Sequence, residues 1–472
     1  MPTFEKLTLR EKLCFGCGDF ASVLYWQTFM VFLPIFYTDV FGISAAAAGG
    51  VILFSRLLDG VIDPVVGMIA DRTETRWGKF RPYLLWFCVP LAIAGALAFS
   101  TPNLSPGGKL VWAYATFIVL MLLYTAINIP YSAMLGVLTD DSVDRTSLSS
   151  FQFVGAYVAG TIVSATLLPM ASALGHGDAG RGWQLSFIIY GVAATIFFLI
   201  TFGGTRERIH PAKQQRTSVR RDLLDLISNG PWVILLLVMF TTVLCAVTRS
   251  SMTVHYFKYY VGRQTLALPF GGGTTSYDFE AIVSAFGFAG SVASVIGVLM
   301  LAWFVRLVGK KPAFIILSLA SAASTAAFYV LKPDQLLAMF ALQVVGSATG
   351  GPISALIWAM FADTADYSDW LNGRRATGLV FSATSMGLKI GYAIGTAAAL
   401  GLLSMIGYHA NAAQTPAVLQ GLVLLVSLIP AVLGLVSIVL VVFYPLNSTK
   451  MAEIADALNA RRASAGAASV AS

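Results

Sequence analysis

The sequence comprises 472 residues, of which 57% are hydrophobic and 11% carry a formal charge. A soluble globular domain carries about 25% charged residues, so this chain has too few charges to cover a water-facing surface of its size. The composition excludes a soluble enzyme, a nucleic-acid-binding domain and a disordered chain. It predicts a protein that crosses a lipid bilayer many times.

Apolar stretches of about 20 residues, the length that a transmembrane helix needs, recur along the chain. The predicted spans are 13–38, 44–70, 82–100, 110–138, 150–174, 183–203, 231–260, 279–305, 312–331, 336–361, 377–406 and 418–444. We expect a first six-helix bundle (1–204), a basic cytoplasmic connector (205–230), a second six-helix bundle (231–446) and a partly disordered cytoplasmic tail (447–472). This predicts an all-α membrane protein, and secondary transporters commonly bind their substrate between two such halves.

The distribution of positive charge predicts the orientation in the membrane. Of the 30 Lys and Arg residues, 22 fall beside the termini or in loops on the same side, and four fall in loops on the other side. Cytoplasmic loops carry an excess of Lys and Arg, so both termini are expected in the cytoplasm. The net charge of +7 then reflects topology and gives no reason to expect a nucleic-acid partner.

Ionisable residues within the spans are candidate functional positions, because a charge at mid-bilayer is costly. Arg56, Asp59 and Asp63 in the second span are three and four residues apart, which places them on one helix face. Two carboxylates one turn apart do not both ionise cheaply in a low dielectric unless a cation neutralises them. Arg56 is expected to balance one, while the other takes a proton or helps to bind Na⁺. A static ion triad that joins two helices is the structural alternative.

Polar residues of four other spans lie at similar depths in the bilayer and are therefore predicted to join this pair at one cavity. They are Asp19, Asn128, Arg249 and Lys389. Three aromatic residues are candidates for stacking on a sugar ring, although helix packing and membrane anchoring explain such residues equally well. They are Tyr25, Trp26 and Tyr131.

The segment 63–82, with the sequence DPVVGMIADRTETRWGKFRP, resembles a family signature. It is similar to the loop between the second and third spans of the glycoside–pentoside–hexuronide:cation symporters, the melibiose-permease-like branch of the major facilitator superfamily. Further similarities extend over nearly the whole chain. They are FYTDVFG (36–42), NIPY (128–131), GWQ (182–184), ADTADY (362–367), GRR (373–375) and Lys389.

The resemblance implies a major facilitator fold with twelve helices, and the import of a glycoside, pentoside or hexuronide together with a cation. It implies that Asp19 contacts the sugar and that Lys389 links the sugar and cation sites. The cation-binding residues that it implies are Asp59, Asp63 and Thr125. It also implies a cytoplasmic gate whose ion pairs break and re-form during alternating access. The gate residues are Asp71, Arg72, Arg76, Lys79, Asp363, Asp366 and Arg374.

Three positions depart from the melibiose-type pattern. One is Gln152, which lies near a position often occupied by arginine and to which we assign no role. Ile62 stands where those members have an asparagine, and because an alkyl group cannot ligate Na⁺, we favour H⁺ over Na⁺ as the coupling ion. Asn128 stands where they have a sugar-binding aspartate. Its amide still donates and accepts hydrogen bonds but carries no charge, as in the glucuronide and pentoside members.

Two other functions fit the same spans: the same fold with a lipid, drug or organic-anion cargo, and a non-transporting membrane receptor or scaffold. An enzyme is disfavoured because the sequence has no metal-ligand cluster, nucleophile elbow or phosphate loop. We expect no cofactor beyond the coupling ion and no metal other than Na⁺. We expect a monomer in a bacterial-type inner membrane, with a small sugar as its partner.

Overall fold

A computed structural model gives the fold and describes residues 7–139, 142–208, 229–267, 274–372, 377–447, 449–454 and 456–457. Most of the predicted connector and of the predicted disordered tail therefore lies outside the described residues. The first half contains α1 (Leu9–Val31), α2 (Leu33–Ile35), a π-helical turn (Phe36–Val40), α3 (Ala45–Arg72), α4 (Arg81–Ala98), α5 (Pro106–Met134), α6 (Ser142–Gly175) and α7 (Ala179–Gly204).

The second half has a similar helical plan with one added hairpin. Its elements are α8 (Gly230–Tyr256), a π-helical turn (Phe257–Val261), β1 (Gln264–Ala267), β2 (Thr274–Tyr277), α9 (Phe279–Val308), α10 (Lys310–Ala327), a 3₁₀ turn (Phe328–Val330), α11 (Leu336–Asn372), α12 (Thr377–Met405), α13 (Pro416–Val426) and α14 (Leu428–Val442). The hairpin is antiparallel, with Gln264 opposite Tyr277. The span analysis did not predict it, because its strands are short and polar.

The number of membrane crossings agrees with the sequence prediction. Among the described residues, 11 helices are long and apolar enough to cross a bilayer, or up to 12 if the bent first pair counts as one span. That pair bends by 57° between α1 and α2. Pro34 lies at the start of α2, where it has no N–H to donate to the carbonyl of Met30 and its ring crowds that carbonyl. The predicted first span is therefore two helices.

The two halves pack against each other along two helix pairs, α3 with α12 and α6 with α9. Glycines allow these close approaches. A Cβ at Gly49 would lie 3.2 Å from the carbonyl oxygen of Ala397, and one at Gly287 would lie 3.1 Å from Cβ of Ser164. Small residues at helix contacts are typical of membrane bundles, where packing replaces the hydrophobic effect between helices.

The glycines that flank Lys389 allow its helix to pack closely against a neighbour. Added Cβ atoms at Gly387, Gly391 and Gly395 would each contact side chains of α8, at 2.6, 3.1 and 3.3 Å. The α12 helix therefore lies close against α8 on one side and against α3 on the other. This position brings Lys389 to the boundary between the halves.

Large apolar side chains cover the outside of the bundle. Val111, Leu299 and Leu337 are 70%, 76% and 81% exposed. Such exposure would be unfavourable in water, and it is the expected state of side chains that face lipid.

Candidate cation and substrate sites

A charged centre joins the two halves at the α3–α12 contact. Nζ of Lys389 lies 3.1 Å from Oδ2 of Asp59 and also donates a hydrogen bond to Oδ2 of Asp63. Thr125 of α5 donates its hydroxyl to Oδ1 of Asp59. The structure thus brings together the three predicted cation-binding residues and the lysine predicted to link the two sites.

This centre holds more negative than positive charge on its directly bonded groups. Two carboxylates share the single ammonium of Lys389, and Oδ1 of Asp63 is buried without a hydrogen-bond partner in the described part of the chain. The Asp59 side chain is only 2% exposed, whereas those of Asp63 and Lys389 are 20% and 21% exposed. A proton or a small cation that reached Asp63 would therefore find an oxygen that is not yet engaged.

Arg56 lies on the same helix as the acidic pair but does not bond to it. Its side chain is buried, and its three guanidinium nitrogens have no hydrogen-bond partner among the described residues. The guanidinium instead lies 4.4 Å from the ring centroid of Trp26, a cation–π distance. Trp26 in turn packs edge-on against Tyr392 of α12 and parallel to Tyr124 of α5. Arg56 can thus offset the acidic charge through space, while Trp26, predicted to stack on a sugar, covers Arg56.

Asp19 belongs to a second polar group within the first half. Gln152 of α6 lies beside its carboxylate, and Tyr131 of α5 packs against the same region. The Tyr131 hydroxyl is already engaged, donating to the backbone carbonyl of Phe15 at 2.8 Å. Asn128 donates to the carbonyl of Tyr124 at 3.3 Å. Sequence reasoning left Gln152 without a role, and the α1–α6 contact supplies one.

Tyr25 is the predicted aromatic residue that does not join these groups. It is 1% exposed, and its ring packs against Phe187 of α7 and close to Gly95 of α4. Adjacent positions on a helix point about 100° apart, so Tyr25 and Trp26 do not face the same side. Tyr25 therefore belongs to the packing of the first half.

Arg249 is likewise separate from the acidic pair. It donates to Oγ1 of Thr325 at 2.5 Å and to Oε1 of Gln343 at 3.0 Å, and it stacks on Phe328 at 4.6 Å. All three partners belong to the second half. The sequence placed Arg249 in one cavity with Asp59 and Lys389, and the structure instead gives it a pocket of its own.

The predicted gate residues of the first half lie in the loop between α3 and α4. Nζ of Lys79 donates to the backbone carbonyl of Asp71 at 3.2 Å. Arg76 stacks on Trp77 at 4.5 Å, and Arg72 ends α3 at an exposed position. The contacts of Lys79 and Arg76 thus lie within the loop region itself.

Glu207, which sequence reasoning missed, holds this loop in place. Its carboxylate accepts hydrogen bonds from the backbone N–H groups of Lys79, Phe80 and Arg81, at 2.8, 2.8 and 2.9 Å. These groups lie at the start of α4, where a carboxylate also interacts favourably with the helix dipole. Gly78 adopts φ +111°, and a Cβ there would lie 2.5 Å from the Glu207 carboxyl carbon. The signal in the sequence was an acid between two arginines, Arg206 and Arg208.

The second half contributes Asp363 and Asp366 from α11. Both oxygens of Asp363 accept from Nζ of Lys310 at 2.7 Å, an ion pair inside the second half. Asp366 lies one turn further along the same helix. Arg374, the remaining predicted gate residue, lies outside the described residues.

A second inter-half contact, which we call the Asp39 cluster, lies at the opposite end of the membrane spans. Oδ1 of Asp39 accepts from Lys258 at 2.6 Å and from the Tyr259 hydroxyl, while Oδ2 accepts from Tyr408 at 2.5 Å. Asn411 donates to the Asp39 backbone carbonyl at 2.6 Å. All four donors belong to the second half, so one carboxylate of the first half holds the halves together here.

His255 and Thr38 complete the Asp39 cluster. Thr38 donates to Oδ2 of Asp39 at 2.6 Å, and Nε2 of His255 lies 3.0 Å from the Thr38 hydroxyl and 3.7 Å from that oxygen. The sequence contained a signal for this contact in the segment FYTDVFG. The sequence did not identify the second-half partners of this segment, which lie more than 200 residues away along the chain.

Eleven or twelve apolar spans among the described residues, in two halves that meet around buried charges, define a membrane transporter of the major facilitator type. The family model described as MFS/sugar transport protein matches residues 14–448, and the chain belongs to that family. The identification as a glycoside–pentoside–hexuronide:cation symporter is confirmed, and its relatives are transporters, not enzymes.

Curated relatives match nearly the whole chain. YagG of Escherichia coli, which carries the name of a glycoside/cation symporter, is 33% identical over 98% of this chain and 97% of its own. The isoprimeverose transporter of Lactiplantibacillus pentosus is 34% identical over 94% of this chain and 90% of its own.

Among solved structures, the nucleoside transporter NupG is similar in fold, with a TM-score of 0.62 and 14% identity over 92% of this chain and 99% of its own. At that identity the similarity concerns the fold alone. It confirms the predicted major facilitator architecture.

Proposed function

We propose that this protein imports a glycoside, pentoside or hexuronide by symport with a cation, and that H⁺ is the coupling ion. The relatives named as a glycoside/cation symporter and an isoprimeverose transporter support this class of substrate. The observation that carries the proposal is the contact of Lys389 with both Asp59 and Asp63 across the boundary between the halves.

The charge count at this contact explains how a cation is coupled to movement. With both carboxylates ionised, the single ammonium bonded to them leaves one negative charge without a bonded partner. Arg56 offsets that charge through space alone, so the pair still favours the entry of a cation. A proton on Asp63 removes the excess charge and weakens its bond to Lys389. The α3–α12 contact then loosens, so that occupancy by the cation alters how the halves are held together.

The sugar site of the proposal lies beside this centre. Asp19, with Gln152 and Asn128, provides a carboxylate and two amides that bind hydroxyl groups. Trp26 and Tyr131 form the aromatic wall, and Lys389 contributes positive charge at the centre itself. Arg249 contributes a second positive charge from its separate pocket in the second half. Because Tyr25 faces α4 and α7, we leave it out of the proposed site.

The preference for H⁺ rests on the residues around the acidic pair. Na⁺ needs several oxygen ligands, and Ile62, next to Asp63, offers none. A proton needs only a carboxylate oxygen, and Oδ1 of Asp63 is not engaged by another described residue. The proposed cation-binding residues remain Asp59, Asp63 and Thr125, with Arg56 balancing charge.

The proposed cycle is alternating access by a monomer with both termini in the cytoplasm. In that orientation the Asp39 cluster closes the outer side. The loop with Asp71, Arg72, Arg76 and Lys79, together with Asp363, Asp366 and Arg374, forms the inner gate. The positive charge beside the termini supports this orientation.

The test is uptake of a panel of labelled glycosides into vesicles that contain the purified protein. We expect accumulation of at least one sugar when an inward pH gradient is imposed, and no requirement for Na⁺ at fixed pH. Protein-free vesicles are the control. Strict Na⁺ dependence would overturn the assignment of H⁺ as the coupling ion. Failure of every sugar to accumulate under an imposed pH gradient or an imposed Na⁺ gradient would overturn sugar symport.

A further inference from the structure

Arg249 lines a large cavity of the second half. The cavity has a volume of about 550 Å³, within the range of roughly 300–1,000 Å³ typical of small-molecule sites. Its walls come from α8, α9, α10, α11 and α14, with α1 and α6 of the first half completing one side. The residues of the Asp59–Lys389 centre are not part of its lining.

The only charged side chain among the described residues that line this cavity is Arg249. Its hydrogen-bond partners, Thr325 and Gln343, are neutral, and no carboxylate of the described chain lies within ion-pair distance. A guanidinium withdrawn from bulk water without a counter-charge is costly, and such a cation in a membrane protein marks a functional site.

The remaining wall offers neutral hydrogen-bonding groups and room for a ligand. Serines and glycines predominate, and Gln27 of α1 faces the cavity from the first half. Ser318 is a second, independent feature: it is 4% exposed, and its hydroxyl has no hydrogen-bond partner among the described residues. The cavity thus presents one uncompensated positive charge and an unused hydroxyl.

The partners of Arg249 also hold it in position. Thr325 and Gln343 accept from its two terminal nitrogens, and Phe328 covers one face of the guanidinium. A Cβ at Gly290 would lie 2.4 Å from Nε2 of Gln343, so this glycine leaves space for the amide that orients the arginine. A planar guanidinium held in this way is well suited to bind a carboxylate.

We propose that Arg249 is a specificity-determining residue, and that the transported sugar carries a negatively charged group, such as a carboxylate, that Arg249 binds in this cavity. This inference rests on the proposed function, because it names the charge class of the transported sugar. It assigns separate tasks to the two halves. The acidic pair of the first half takes the cation, and the arginine of the second half takes the anion of the substrate.

The test compares sugars that differ only at one carbon. Methyl β-D-glucuronide and methyl β-D-glucoside share a ring, but the first carries a carboxylate where the second carries a hydroxymethyl group. The corresponding galacturonide and galactoside form a second pair. Binding of all four to the purified full-length protein is measured by titration calorimetry. This readout does not require transport. The variants are Arg249→Gln, Arg249→Lys and, as the control, Arg263→Gln, which alters an exposed arginine beyond the cavity.

We expect the wild type to prefer the carboxylate in at least one pair. Arg249→Gln should reduce that preference by about tenfold or more, because a hydrogen bond between charged groups contributes more than a neutral one. Arg249→Lys should keep part of it, and Arg263→Gln all of it. The thermal unfolding temperature of each variant separates loss of binding from loss of the fold.

Several results would overturn the inference. They are equal binding of carboxylate and neutral sugars by the wild type in both pairs, or an unchanged preference in Arg249→Gln. Loss of carboxylate binding when chloride replaces methanesulfonate at constant ionic strength would also overturn it, because the site would then belong to an inorganic anion. If vesicles accumulate neutral sugars while Arg249→Gln leaves sugar binding unchanged, the result supports sugar symport and contradicts the anion site. If the protein binds the carboxylate sugars through Arg249 but vesicles accumulate no sugar, the result supports the anion site and contradicts sugar symport.

Discussion

The two charged contacts between the halves differ in how fully their carboxylates are bonded. In the Asp39 cluster, one carboxylate accepts from an ammonium and three hydroxyl groups. At the other contact, two carboxylates share the ammonium of Lys389, and one oxygen of Asp63 has no partner among the described residues. The Asp39 cluster has one negative charge bonded to Lys258, whereas the other contact has two negative charges bonded to Lys389.

This difference indicates different tasks. A carboxylate with all its acceptor positions occupied has little capacity to bind anything else, so the Asp39 cluster is suited to hold two elements together. A carboxylate pair with excess charge and an unused oxygen is suited to bind and release a cation. The same residue types thus form a closure in one place and a binding site in the other.

The largest effect that this comparison predicts is for Lys389→Ala. The change leaves Asp59 and Asp63 buried beside each other without their ammonium. Because removing one partner of a buried ion pair costs about 3–5 kcal/mol, we expect gradient-driven sugar accumulation in vesicles to fall by at least about 100-fold. Asp59→Asn should also abolish accumulation, since it leaves one carboxylate for Lys389 and removes the excess negative charge that attracts the cation.

Lys332→Ala is the matched control, because Lys332 is exposed in the loop between the 3₁₀ turn and α11. It should accumulate sugar like the wild type. If Lys389→Ala and Asp59→Asn both left accumulation intact, the α3–α12 contact would be a structural ion pair, and the coupling site would lie elsewhere.

The next effect concerns the Asp39 cluster. Asp39→Asn removes the charge that Lys258 and three hydroxyl groups share, while keeping the size of the side chain. We expect the π-helical turn Phe257–Val261 to exchange its amide hydrogens faster by about tenfold, because hydrogen bonds to a charged group are worth about 1.5–3 kcal/mol. Hydrogen–deuterium exchange followed by mass spectrometry of the reconstituted protein measures this change.

Asp178→Asn is the control for that experiment. Asp178 is exposed and caps the start of α7, a position where asparagine serves as well as aspartate. It should leave exchange of the turn unchanged. Equal exchange in Asp39→Asn and the wild type would mean that packing, and not the carboxylate, holds this end of the halves together.

The sequence predicted the fold well because its signals are local. Apolar runs define the spans, and spacings of three and four residues place Asp59 and Asp63 on one face of α3. The break between α1 and α2 was missed although Pro34 was visible. A span was counted by its length and hydropathy, and neither of these reports a change of direction.

The sites were predicted less completely because they depend on contacts between distant helices. Depth along the spans correctly indicated that Lys389 reaches the acidic pair. The same argument put Arg249 there too, since depth says nothing of the direction in which a side chain points. Gln152 and Glu207 acquire their roles only through helix packing and through the fold of the loop before α4.

The smallest predicted effect sharpens the choice of cation at the Asp59–Lys389 contact. Ile62→Asn adds an amide oxygen next to Asp63, which gives Na⁺ a ligand that the isoleucine cannot provide. We expect sugar uptake at fixed pH to become stimulated by Na⁺, by less than about tenfold, because one added ligand contributes on the order of 1 kcal/mol. Ile62→Leu, which keeps the side chain apolar and similar in volume, should show no such stimulation. If Na⁺ already stimulates the wild type and Ile62→Asn adds nothing, the unused oxygen of Asp63 takes Na⁺ without help from this position, and the argument for H⁺ fails.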